Sequence, residues 1–171
     1  MATAVQNAGL VTVKINANQG DGIETLGYTR NGVDPEHDAR LVNVPGDANG
    51  GDEGPPIEVQ YMGEIARVRL ELTNFDIAVA RKIERRVPSK TLGTVPASGS
   101  TGSAGTFLLG TAANRFRLIL DSPNDPQNYP IAIPIGAVVR NRGTKYQTFI
   151  CEFECHKDAS SPPVLFNTTV A

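Results

Sequence analysis

The chain has 171 residues, including 17 Gly and 12 Pro, with 40% hydrophobic residues, no Trp and a net charge of −2. That length and apolar content read as one domain with a real core and frequent turns. The charge excludes a globally basic nucleic-acid binder as the first reading, and no stretch approaches the roughly 20 apolar residues of a membrane helix. The first ten residues, MATAVQNAGL, have neither a basic nor a long apolar region, so no signal peptide is expected.

In chain order, residues 10–15 (LVTVKI) alternate apolar and polar side chains and predict a strand. Gly20-Asp21-Gly22 is a turn, residues 25–29 (TLGYT) a short strand, and Asn31-Gly32 a tight-turn signal. Residues 39–44 (ARLVNV) form another strand. Residues 46–56 (GDANGGDEGPP) have no large apolar side chain and predict a loop that is mobile or ordered by a partner. Residues 57–72 hold the clearest strand. There Ala66, Val68, Leu70 and Leu72 face one side and Arg67, Arg69 and Glu71 the other, which places one face on a core and one on water or another subunit.

One helix follows, NFDIAVARKIERRV, ended by Pro88. Thr73 or Asn74 can cap it, and Asp76 falls in its first turn, where the helix dipole favours an anion. Phe75, Val79, Ile83 and Val87 make a buried stripe. Arg81, Lys82, Arg85 and Arg86 crowd the last turns, either as dipole partners or as a basic contact surface. Residues 90–105 are a Gly/Ser-rich loop. A second group of strands is expected at 106–110, 115–120, 131–140 and 145–155, with SPNDPQNYP and NRG as turns. In 145–155, Phe149, Cys151, Phe153 and Cys155 share one face. Residues 1–9 and 162–171 read as terminal arms, the latter able to add an edge strand or reach a neighbour. Eight or nine short strands with one helix predict a mainly β fold, a β-sandwich or small β-barrel with one flanking α-helix and long loops, all within a single domain.

Charge is segregated. Residues 20–60 contain nine acids and two bases, and residues 61–90 four acids and seven bases. The two segments can be plain solvated surfaces, or can pair within the fold or between copies. Asp47, Asp52 and Glu53 on the acidic loop, and Arg81, Lys82, Arg85 and Arg86 on the helix, are therefore the candidate subunit-interface residues, with Asp52 and Glu53 near Arg81 or Arg85 as the expected pairing.

No catalytic constellation emerges. There is no phosphate-binding loop, because the glycines at 99, 102 and 105 lack the lysine and the strand-to-helix setting. A nucleophilic triad needs a base, and only His37 and His156 are available. His37, in VDPEHDAR, reads as part of a solvated turn rather than a metal ligand. Cys155 and His156 point to opposite faces of a strand. DANGGDEG departs from a calcium loop at Gly51 and Asp52. Cys151 and Cys155 lie about 13 Å apart along a strand, beyond disulfide reach, and read as buried thiols. Asn167-Thr168-Thr169 matches a glycosylation acceptor, expected to be unmodified without a secretory signal. A sugar-binding module would need exposed aromatics, and only Tyr28, Tyr61, Tyr129 and Tyr146 are offered. The expectation is a structural or interaction protein, not an enzyme, with no cofactor and no metal.

The segments LGYTRNGVD (26–34), GPPIEVQYMGEIARVRLELTNFDIAVARKI (54–83) and IPIGAVVRNRGTKYQTFICEFECHKD (133–158) resemble small virion proteins of tailed bacteriophages, most closely the tail tube family. That resemblance implies a β-sandwich or barrel with one helix and long loops, and subunits that stack as hexameric rings. The rings would form a hollow tube in which DNA is only passing cargo. Capsid cement or decoration proteins are also small, β-rich and loop-bearing, and would act as dimers or trimers on the head. Either resemblance implies a homo-oligomer that contacts other virion proteins and no membrane, located in the virion and assembled in the host cytoplasm.

Overall fold

A computed structural model describes residues 10–17, 22–45, 56, 58–85, 116–123, 125–143, 147–158, 160 and 163–168. These residues form strands β1 (Thr12–Ala17), β2 (Glu24–Thr29), β3 (Glu36–Val44) and β4 (Glu58–Thr73), helix α1 (Ile77–Arg85), and strands β5 (Phe116–Asp121), β6 (Gln127–Arg140) and β7 (Thr148–His156). All seven strands belong to one sheet in the order β2-β1-β5-β6-β7-β4-β3, and β2 also pairs with β4 through Tyr28↔Thr73 and Thr29↔Leu72. That last pairing closes six strands into a small antiparallel barrel and leaves β3 outside the ring, attached to β4 alone.

The barrel forms because the inward residues alternate. Ala66, Val68, Leu70 and Leu72 of β4 are fully buried, opposite Cys155, Phe153, Cys151 and Phe149 of β7. Val13 and Ile15 of β1 and Phe116, Leu118 and Leu120 of β5 complete the same core. Outward, β4 is charged and forms ion pairs: Arg67 lies 3.8 Å from Glu154 of β7, and Glu71 lies 3.2 Å from Arg30, just after β2. The strands expected at 10–15, 25–29, 39–44, 57–72, 115–120, 131–140 and 145–155 are all present, within a few residues. The one at 106–110 lies outside the described residues, as do most of the loops 46–56 and 90–105. Among the described residues there are seven strands, two of which run 16 and 14 residues.

Three local readings are corrected. The segment SPNDPQNYP is not all turn, because β6 begins at Gln127 and carries Pro130 and Pro134 inside it. Pairing of β6 to β5 ends at Ala132, so beyond it a missing N–H costs at most one bond to β7. The helix is capped by neither Thr73 nor Asn74. Asp76 Oδ1 accepts from the backbone N–H of Ala78 (2.7 Å) and Val79 (3.2 Å), one residue before the first helical position. Asn74 instead turns the chain with φ 54°, a left-handed conformation that Asn tolerates. His37 is not in a solvated turn but on β3, opposite Ala66.

The turn into the helix packs closely on β2. A Cβ on Gly27 would fall 2.9 Å from Phe75 Cα and 3.3 Å from the Asn74 carbonyl oxygen, and Asp76 N–H donates to the Leu26 carbonyl at 2.8 Å. Gly27→Ala is therefore expected to destabilise the fold by about 1–3 kcal/mol, the usual range for overpacking, read as a lower urea midpoint.

Val79, Ala80 and Ile83 are buried in the barrel core, and the Phe75 ring packs against that of Phe149, tilted by 36° at 5.4 Å. Helix α1 touches β2 and β6, which are not neighbours in the sheet, so it lies across the core rather than along one strand pair.

Both cysteines are free and buried on the inner face of β7. Burial pushes each thiol well above its ordinary value of 9.0, with the Glu154 charge adding to the shift at Cys155. The folded state thus keeps protons that the unfolded chain gives up above pH ~9. Stability is expected to be flat below that and to fall by up to about 2.7 kcal/mol per pH unit above it, 1.36 for each thiol. Denaturant melts between pH 8 and 10.5 check this, and thiol-reagent labelling of the folded chain should be negligible over the same pH range.

Candidate assembly surface

Strand β4 is longer than its barrel partners. Its pairing with β7 stops at Ala66↔Cys155, while its pairing with β3 continues to Val44↔Glu58. Beyond Ala66 the two strands therefore leave the barrel as a two-stranded arm, residues 38–44 against 58–65. At roughly 3.4 Å per residue the arm is about 24 Å long. A bulge at Met62, between the pairs Arg40↔Gly63 and Leu41↔Tyr61, twists it, and Gly63 takes φ 122° there.

The arm is unusually apolar for a surface element. Leu41 (60% exposed) sits directly opposite Tyr61 (52%), with Val59 on the same face. Val42 and Met62 (63%) are exposed as well. A lone two-stranded ribbon is marginal in water, and a cluster of exposed large apolar side chains marks an interaction surface. Strand β3 also ends the sheet order, the position at which strands commonly add a partner.

The base of the arm is fixed by polar and aromatic contacts. Lys157, just after β7, donates to the Tyr61 hydroxyl at 3.0 Å, lies 4.9 Å from its ring centroid and reaches Glu64 at 4.0 Å. The bond to Tyr61 raises the Lys157 pKa, against a smaller lowering by desolvation. His37 Nε2 lies 3.3 Å from the Tyr129 hydroxyl, whose own proton goes to Gln127 Oε1 at 2.8 Å.

The interface residues expected from charge are placed differently. Arg81 is exposed on α1. Lys82 is not on that surface: it is 1% exposed, and its Nζ lies 2.5 Å from Glu24 Oε2, whose side chain is 26% exposed. It ties the helix to β2. Arg85 is the last residue of α1. Arg86, Asp47, Asp52 and Glu53 lie outside the described residues. Sequence reasoning missed Leu41, Val59, Tyr61 and Met62. The signal was there in two alternating runs, ARLVNV and IEVQYM, flanking one polar loop, but alternation alone does not show that the barrel stops short of them.

Among the described residues no group of three or more His, Cys, Asp or Glu side chains is arranged to hold a metal. No helix there is long and apolar enough to cross a membrane.

No family model and no curated protein matches the chain. Among solved structures it is similar to a chain of the virion of a native gene transfer agent (GTA) particle. The two are 13% identical, with a TM-score of 0.50 over 97% of this chain and 100% of that one. At that identity the likeness is one of fold, and it extends over both chains almost end to end.

Proposed function

We propose that the chain is a non-enzymatic virion structural protein, and within that class a tail tube subunit that assembles with copies of itself into stacked rings around a DNA conduit. The observation that carries this reading is the apolar arm of β3 and β4, an element that buries its side chains only by meeting another subunit. The end-to-end likeness of fold to a chain of a virion particle supports it, as does the resemblance of residues 26–34, 54–83 and 133–158 to tail tube proteins. In a ring the arm of each subunit lies on the next, a heterologous contact that closes by rotation. The acidic loop with Asp47, Asp52 and Glu53 would face Arg81 and Arg85 of a neighbour and set register more than affinity. DNA would pass through the ring without being gripped.

Negative-stain electron microscopy of the concentrated protein, with sedimentation at several salt concentrations, tests the proposal. Rings or tubes with a central hole are the expected result. Monomers, dimers or trimers that bind only to preformed heads would overturn the tube reading in favour of a cement protein.

A further inference from the structure

We infer that the C-terminal segment 163–168 is an intramolecular strap that fixes the direction of the assembly arm. The inference rests on the arm-based reading above for its consequence, though not for its geometry. Strand β7 ends at His156, opposite Ile131, while β6 extends four residues further, to Gln127. The sheet thus has a notch beyond the end of β7, flanked by the start of β6 on one side and by the part of β4 that precedes Ala66 on the other. The returning chain pairs with β6 in that notch. Asn167 and Asn128 exchange two backbone hydrogen bonds of 2.9 and 2.8 Å, Leu165 is buried in the barrel core, and Phe166 packs against that core, half-buried. The Phe166 ring meets His37 of β3 edge-on at 5.2 Å and Tyr129 of β6 at 5.8 Å.

The turn that brings the segment back is built to keep it on its own subunit. Asp158 Oδ1 accepts from the backbone N–H of Ser160 at 3.2 Å, from the Ser160 hydroxyl, and from the N–H of Val164 at 2.8 Å. Asp158 N–H donates back to the Val164 carbonyl at 3.0 Å. One carboxylate oxygen thereby links Asp158 to Val164, six positions on, an Asx-type turn extended to a third donor. Of the two roles open to the tail on sequence grounds, this part of it takes the intramolecular one. His37 is the only β3 side chain with a ring contact among the described residues, so the Phe166 wedge couples the arm's root to the barrel at the point where β7 no longer does.

The test uses the full chain with two separate changes, Phe166→Ala, which removes the wedge, and Asp158→Ala, which opens the turn and leaves Phe166 in place. The readouts are amide hydrogen exchange, compared between β3 and β7, and ring formation by electron microscopy. Circular dichroism confirms that each variant remains folded. In both variants exchange in residues 36–38 is expected to speed up at least tenfold while that of β7 stays unchanged, and ring yield is expected to fall. Unchanged exchange in β3 with an intact fold would overturn the strap. Faster exchange in β3 with undiminished rings would uphold the strap and sink the arm-based assembly reading instead.

Discussion

On the proposed ring assembly, a chain carrying Leu41→Thr and Tyr61→Thr together is expected to stay a folded monomer at concentrations where the parent chain assembles. The two residues face each other across the arm and are more than half exposed in the single subunit, and what the Tyr61 change gives up within the subunit is an exposed contact with Lys157 outside the barrel core. Threonine keeps the strand preference, and a Thr–Thr pair across strands is itself favourable. Thermal unfolding should therefore change little, since surface substitutions generally stay within about 0.5 kcal/mol each. Assembly is different. Burying a large apolar side chain is worth about 1.5–3 kcal/mol, and threonine retains part of that. Losing about 2–4 kcal/mol per subunit contact weakens each by about 30- to 1,000-fold. Sedimentation velocity over a concentration series measures this directly. Rings that persist at parental concentrations in the double variant would show that the arm is not the contact.

What was legible in the sequence followed from periodicity. The alternation in EIARVRLEL and FICEFEC requires one apolar face on each strand, and the structure pairs those two runs residue for residue, Val68 with Phe153 and Leu70 with Cys151. The spacing of Phe75, Val79 and Ile83 likewise gave the buried side of α1. Other features depend on where strands end relative to one another, which no local pattern encodes. The arm exists because β4 outruns β7, and the strap because β6 outruns β7 on the other side. Lys82 was misplaced for a related reason. Charge on a helix usually means solvent, but this lysine falls on the side of α1 that meets β2, where Glu24 meets it. Composition identifies such a residue as basic, whereas only the tertiary fold decides whether its partner lies in the same subunit or the next.

That buried pair carries the second large prediction, an asymmetry between its two halves. Glu24→Ala is expected to destabilise the chain by about 3–5 kcal/mol, because it leaves an ammonium with 1% exposure and no compensating charge. Lys82→Met is expected to cost only about 0–1 kcal/mol. Methionine keeps an unbranched apolar stem in the same space, and the carboxylate it leaves behind is 26% exposed and can turn back to water. The double variant should then resemble Lys82→Met alone, recovering most of what Glu24→Ala lost, which a double-mutant cycle from urea melts reads out. Equal costs for the two single changes would mean that the ammonium finds water despite its burial, and that the pair does not hold α1 against β2. The asymmetry also bears on assembly. Glu84 of the same helix lies 3.2 Å from Arg140 at the end of β6 without the alignment of a hydrogen bond, so the Lys82 pair is the better-formed of the two ionic ties to α1 among the described residues. If Arg81 meets a neighbouring subunit, its position depends on that tie. Glu24→Ala should then weaken ring formation at temperatures well below its own unfolding midpoint, whereas Lys82→Met should leave it intact.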